Sequence, residues 1–326
     1  MFKPLTTLRT LGACVIGACA IAASPAGAQS WPTKSIRLIV GYPPGGPVDL
    51  LARAIAPALG TRLAQTILIE NKAGASGTIG MDATIKAAPD GYTFGMGTPG
   101  GITSLPHVMK LPYDPQQIAY VSLVAKVPQI IVASNAIPET TLPDLIKAAR
   151  AAPKKYNFGS AGNATTPHLG GELLRQEAGI DIVHVAYKGA APAITALIGN
   201  EIQILAADVS GVLPFIQSGR IRALAIETPR RVDFLPQVPT ATELGYPKIL
   251  VESNYGIIMP AGVPAAIAAG FREALVEVMN RPEVRDQIIK QGAIPITSTP
   301  EEYRQIMQAE SAKWQAVIRA GNIRLE

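Results

Sequence analysis

The chain has 326 residues, 48% of them hydrophobic and 16% charged, with 30 Gly, 28 Pro and only 5% aromatics. That balance leaves room for two globular domains with many turns between short elements. The net charge is +5, but no Lys/Arg run or basic-aromatic stripe is present, which argues against a nucleic-acid partner.

Lys3 and Arg9 give a positive start, residues 11–23 form a small-residue apolar run, and Ala26-Gly27-Ala28 fits an A-x-A cleavage site. This order predicts an export signal over 1–28, cleaved after Ala28. The apolar run is short for a membrane span. Ile16-Gly17-Ala18-Cys19 is only a partial lipobox, which leaves the use of a lipid anchor open. Both cysteines, Cys14 and Cys19, fall in the signal, so disulfide and thiolate chemistry are excluded from the expected mature chain. Without Lys3 and Arg9, 27 basic residues face 24 acidic ones, a mild +3 that suits an anionic small molecule.

Strand-like and helix-like runs alternate from here on, which predicts α/β layers on largely parallel sheets. Residues 36–40, 67–71 and 92–96 read as strands, with helices near 48–64 and 78–87 between them. Pro57 is expected to kink or end the first helix early. A second series has strands at 129–134, 157–160, 182–187, 202–208 and 221–226. Its helices lie near 143–151, 167–178, 190–199 and 212–218, with Pro143, Pro167 and Pro192 in their first turns. The tail reads as helices opening at Pro264, at Pro282 and at the capping box Thr299-Pro300-Glu301-Glu302. Two series followed by a helical return predict two lobes, with crossovers near 125–130 and 250–256 and the tail packed on the first lobe.

Three glycine-rich loops each precede a helix: Gly41 to Pro47, Gly159 to Leu174 and Ala186 to Ile198. A helix start offers unpaired N–H groups and partial positive charge, and glycine lets a ligand approach the backbone. Any one of these loops also reads as an ordinary strand-to-helix turn. A pair facing each other across two lobes would hold a carboxylate or a phosphate. None matches G-x-x-x-x-G-K-[ST], which disfavours phosphate. Gly95-Met96-Gly97-Thr98-Pro99-Gly100 fits G-x-G-x-x-G, but Pro99 and Pro106 interrupt the helix a dinucleotide site requires.

Catalytic signals are sparse. His107, His168 and His184 are the only histidines, and no H-E-x-x-H pair or G-x-S-x-G elbow occurs. His184, within an alternating strand, reads as structural. Ser160 and His168 can be drawn as nucleophile and base, although hydrogen bonding to a bound anion is the plainer role. Asp49 sits in a first helical turn, where negative charge is favourable in itself. Asp208 ends a strand, a common place for ligand contacts in open α/β sheets.

The stretches WPTKSIRLIVGYPPGGPVDLLAR, ENKAGASGTIGMDATIKAAPDGYTFGMGT, LPYDP, YNFGSAGNATTPHLGGELL, VHVAYKGAAPAITALIGNEIQI and SGRIRALAIETPRR occur in this order, followed by LPQVPTATELGY and WQAVIRAGNIRLE. Together they resemble the solute-binding receptors of tripartite tricarboxylate transporters, the Bug receptors, over nearly the whole expected mature chain. The resemblance implies a type II periplasmic binding protein-like α/β fold, with lobe 1 at 29–127 and 254–326 and lobe 2 at 128–253. It implies a periplasmic monomer without cofactor, metal or catalytic residue, which passes a small organic acid to membrane permease subunits. By the same resemblance Tyr42, Pro43, Gly45, Gly46, Pro47 and Asp49 serve the ligand in the first loop, and Thr98 in the turn after the third strand. Ser160, Gly162, Asn163, Thr165, Thr166 and His168 do so in the second, with Tyr187, Gly189, Ala190 and Asp208 beside them. Gly101 stands where relatives often carry larger or polar side chains, which predicts a roomier far end of the pocket. A ligand sensor for a membrane signalling receptor and a secreted serine hydrolase are the alternative readings.

Overall fold

The computed structural model describes residues 1–2 and 31–324. The charged start, apolar run and cleavage site of the expected signal, with both cysteines, lie outside the described residues.

The chain begins as a βαβ series: β1 (Ile36–Val40), α1 (Pro47–Leu63), β2 (Ile67–Asn71), α2 (Thr78–Ile85) and β3 (Thr93–Gly97). A long strand β4 (Ile118–Ser134) then leads into α3 (Leu142–Ala151), β5 (Asn157–Ser160), α4 (Thr166–Ala178), β6 (Val183–Ala186), α5 (Ala190–Ile198), β7 (Ile204–Asp208), α6 (Val209–Gln217) and β8 (Ile221–Ile226). The return is β9 (Glu252–Pro260), α7 (Ala265–Met279), α8 (Pro282–Lys290), β10 (Ile294–Pro295) and α9 (Pro300–Ala320).

The strands form one curled sheet in the order β2-β1-β3-β9-β4-β7-β5-β6, with β8 and β10 also on β4. β1 pairs in parallel with β2 and β3, and β5 with β6 and β7, as the alternating pattern leads one to expect. The two parallel halves are joined by antiparallel β4 and β9. β4 pairs with β9 as far as Pro128, then with β7 from Gln129 onward. β4 therefore continues from one half of the sheet into the other, while β9 pairs only with β3 and with β4 up to Pro128.

Pro57 neither ends nor splits α1, contrary to expectation. It is exposed, while Leu51, Ile55 and Leu59 on the opposite face are fully buried. Burial of each such side chain contributes about 1.5–3 kcal/mol, together more than the ~3 kcal/mol cost of an interior proline.

Separate cores support the two halves. Leu38, Phe94 and Val124 pack with Phe271 and Leu275 of α7, whereas Phe158, Leu169 and Leu145 form a cluster in the other half. The tail does not stay with the first half. In α9, Tyr303 and Met307 pack with Met81 and Leu123, but Trp314, Val317 and Ile318 enter the cluster of Leu145 and Phe158. A helix of 21 residues is about 30 Å long, enough to reach both cores.

Candidate functional site

The first loop is shaped by its own carboxylate. Gly45 has φ +82°, which favours glycine, and Gly46 precedes α1 in extended geometry with no side-chain cap. Pro47 opens α1, so the first-turn amides lack intrahelical acceptors. Asp49, buried at 1% exposure, accepts from the Gly45 amide at 2.9 Å, Arg53 Nε at 2.8 Å and Asn71 Nδ2 at 2.9 Å. Burial opposes ionisation of Asp49, but these donors together outweigh it and hold the carboxyl below its ordinary range. Asp49 thus ties the loop down and is turned away from the cleft.

The second loop is built from neutral groups. Gly162 (φ +145°) and Ala164 (φ +53°) fold the chain back, and Thr165 caps α4 while its hydroxyl donates to Gly162 O at 2.8 Å. The Ala164 amide donates to His168 Nδ1 at 2.9 Å. The His168 ring stacks on His184, with centroids 3.7 Å apart and planes 14° apart, and Phe158 lies against both. Burial pushes His168 down to about 3, with help from His184 and Arg175, and His184 down to about 4. Both rings are therefore neutral near pH 7.

This arrangement removes the pairing of Ser160 with His168 on which the serine hydrolase reading rests. Ser160 is fully buried, and its Oγ lies 2.8 Å from His184 Nε2, not from His168. The acceptor nitrogen of His168 is already taken by Ala164. The parallel register of β5 and β6 sets Phe158 opposite His184, which places the ring beside Ser160.

The loops converge on a cavity of about 40 Å³, room for a few water-sized groups. The first loop contributes Tyr42, Pro43, Gly46 and Pro47, and the turn after β3 contributes Thr98 and Gly100. Thr165 and Thr166 at α4, Ala190 at α5 and Asp208 at the end of β7 face them, with Tyr255 from β9. Of the other expected residues, Asp49, Ser160, Gly162 and His168 support the loops from behind, and Gly45 is exposed in its turn. Asn163 is exposed, Tyr187 half-buried, and Gly189 (φ +114°) shapes the start of α5. Sequence reasoning missed Val48, Gly100, Leu205 and Tyr255 as lining residues. Tyr255 carries no local motif; only its place on the joining strand β9 marks it.

The halves touch across the cleft. Ser104 Oγ donates to Ala164 O, and a Cβ added at Gly189 would stand 3.1 Å from Pro43 Cδ. Gly101 does not enlarge the cavity, contrary to expectation. It faces inward: a Cβ there would lie 3.0 Å from Met81 Cγ and 3.1 Å from Tyr113 Oη, and Tyr113 donates to its carbonyl at 2.8 Å. Its neighbour Gly100 is the residue that borders the cavity.

Among the described residues no lysine or arginine lines the cavity. Among the described residues no cluster of His, Cys, Asp or Glu is suited to hold a metal, and no helix is long and apolar enough to cross a membrane. α1, α4 and α5 thus all begin at a small enclosed space without a cation. Such a space selects an anion through backbone amides.

The family model described as tripartite tricarboxylate transporter family receptor (TctC) matches residues 51–323. The chain belongs to this receptor family. Protein BugT of Bordetella pertussis is 33% identical over 93% of this chain and 94% of its own length. The structure of R. palustris Rpa4515 with adipate superposes with a TM-score of 0.87 at 30% identity, covering 90% of this chain and 99% of that one. MatC from Rhodopseudomonas palustris with bound malate gives 0.84 at 27% identity, covering 88% of this chain and 100% of that one. The TctC receptor described here is accordingly a periplasmic solute-binding protein of the Bug type and not an enzyme.

Proposed function

We infer that this TctC receptor captures a small organic carboxylate between its two lobes and delivers it, as a monomer, to permease subunits of the tripartite tricarboxylate type. The observation that carries this reading is the convergence of the first turns of α1, α4 and α5 on a cavity with no lysine or arginine in its walls. Amides at helix starts hold a carboxylate with their dipoles and free donors. The adipate and malate in the two relatives are carboxylates. We divide the lobes at 29–127 with 254–326 and 128–253, near where β4 changes partner at Pro128–Gln129 and β9 begins at Glu252, with the end of α9 reaching across to pack on the second lobe. The ligand would bridge the lobes and draw the protein to the closed state by binding it better than the open one.

Protein exported with its signal, then unfolded and refolded to strip carried ligand, is screened by thermal shift against carboxylates, their amides, sugars and dinucleotides. A ligand at about 100 times its Kd adds about 2.7 kcal/mol. The reading expects one class of carboxylate to raise the midpoint without being consumed. Shifts by amides or dinucleotides alone would refute it. Uptake of the same acid into vesicles carrying the permease subunits, dependent on added receptor, tests delivery.

A further inference from the structure

We propose that the acid taken by this receptor is a monocarboxylate whose far end carries a hydrogen-bond donor, an ammonium or a hydroxyl group, received by Asp208. The proposal rests on the carboxylate-binding reading above and names the other half of the ligand.

Asp208 holds the N-cap position of α6, where an aspartate ordinarily accepts from its own helix. Here the side chain makes no cap bond. It turns instead to the cavity, taking the Tyr255 hydroxyl on Oδ2 at 2.5 Å and the Gln129 amide on Oδ1. An ionised carboxylate has about four acceptor sites and no donor, so two bonds leave capacity unused.

Most of the protons around it are already committed. Tyr255 gives its hydroxyl to Asp208, Tyr42 donates to Ser76 O at 2.8 Å, and the Gln129 amide is shared with Ser253 Oγ at 3.0 Å. Thr98 Oγ1 is buried in the cavity wall with no partner among the described residues, which leaves its hydroxyl free both to donate and to accept. Apart from the Thr98 hydroxyl, this end of the site offers acceptors rather than donors, the reverse of the amide-rich end. The titratable groups facing Asp208 are Tyr42 and Tyr255, both pushed upward by burial and hence protonated, and neither supplies positive charge. Burial raises Asp208 to about 6, so it is ionised at pH 8. A second carboxylate placed here would meet a buried like charge. A donor group would complete the acceptor sites.

The test is a length-matched series titrated calorimetrically into the stripped receptor at pH 8: 4-aminobutyrate, 4-hydroxybutyrate and succinate, then 6-aminohexanoate, 6-hydroxyhexanoate and adipate. At each length that binds, the amino or hydroxy acid is expected to bind at least tenfold more tightly than the diacid. Asp208→Asn keeps the shape and removes the charge, and should shrink that ratio to about threefold or less, chiefly by strengthening the diacid. A diacid that binds wild type as well as the donor-bearing acid overturns the proposal, as does a ratio untouched in the variant. The wild-type ratio decides alone if the variant does not fold. Binding of diacids only would leave the carboxylate reading standing while this one falls. Absence of binding by every carboxylate, with shifts by amides or dinucleotides, would bring down both.

Discussion

Asp49 holds the first loop through charge, with Arg53 half-exposed beside it, whereas the second loop rests on two stacked imidazoles that must stay neutral. Both solutions achieve the same end. Each fixes a glycine-containing turn so that the amides of the following helix remain free for a ligand. They differ in what breaks them. The carboxylate cluster survives until Asp49 is protonated, below its ordinary pKa near 4. The imidazole pair is challenged earlier, because each ring would take up a proton near pH 6.5 once unfolded.

Among single substitutions, the largest effect should come from removing the charged anchor. Asp49→Ala strands the Gly45 amide and Asn71, and hydrogen bonds to a charged group contribute about 1.5–3 kcal/mol each. With partial relief by solvent at Arg53, we expect a loss of about 2–4 kcal/mol in chemical denaturation. Ligand affinity should fall more than tenfold by calorimetry.

Acid separates the two loops next. His168 and His184 have folded pKa values of about 3 and about 4, below the unfolded value. Their contribution to stability is therefore present above pH 6.5 and is lost as pH falls through that window, at up to about 1.4 kcal/mol per unit for each ring. Unfolding midpoints measured from pH 7 to 4 should drop in wild type. His168→Phe retains an aromatic stack but leaves the Ala164 amide unpaired, costing about 1–3 kcal/mol at pH 7, and its midpoint should vary less with pH. An unchanged slope would contradict the neutral-pair account.

A smaller change tests the contact between the lobes. Ser104→Ala removes the bond to Ala164 O, worth about 1 kcal/mol, so ligand dissociation measured by stopped flow should quicken three- to tenfold with the order of ligand preference kept. Gly101→Ala is expected to be the mildest. The added methyl presses on Met81 and Tyr113 and destabilises by about 1 kcal/mol, with the ligand profile unchanged.

The same contrast explains what could be read from sequence. Glycine and proline are local signals, so the turn before α1 and the starts of α4 and α5 stood out. The roles of Asp49 and Ser160 depended on partners 22 and 24 residues away, Asn71 and His184, which only the sheet register brings close. The first part of β4 escaped because Lys126 and Pro128 interrupt its apolar run. Pro128 is tolerated there because it sits where the strand changes neighbours. Gly101 was misjudged for a related reason. Its position in sequence said nothing of its direction, and the short helical turn at 100–104 aims it at the core. Tyr255 joined the cavity through the curl of the sheet, which no window of residues displays.

The central claim is that backbone amides, with no cation, hold the ligand carboxylate. Its most direct test is an amide NMR titration of the stripped, perdeuterated receptor with a binding carboxylate. The account predicts that the amides of Val48, Thr166, Ala190 and Ala191 shift together and saturate at one dissociation constant. Saturable shifts confined to amides away from these helix starts, with those four unmoved, would contradict it.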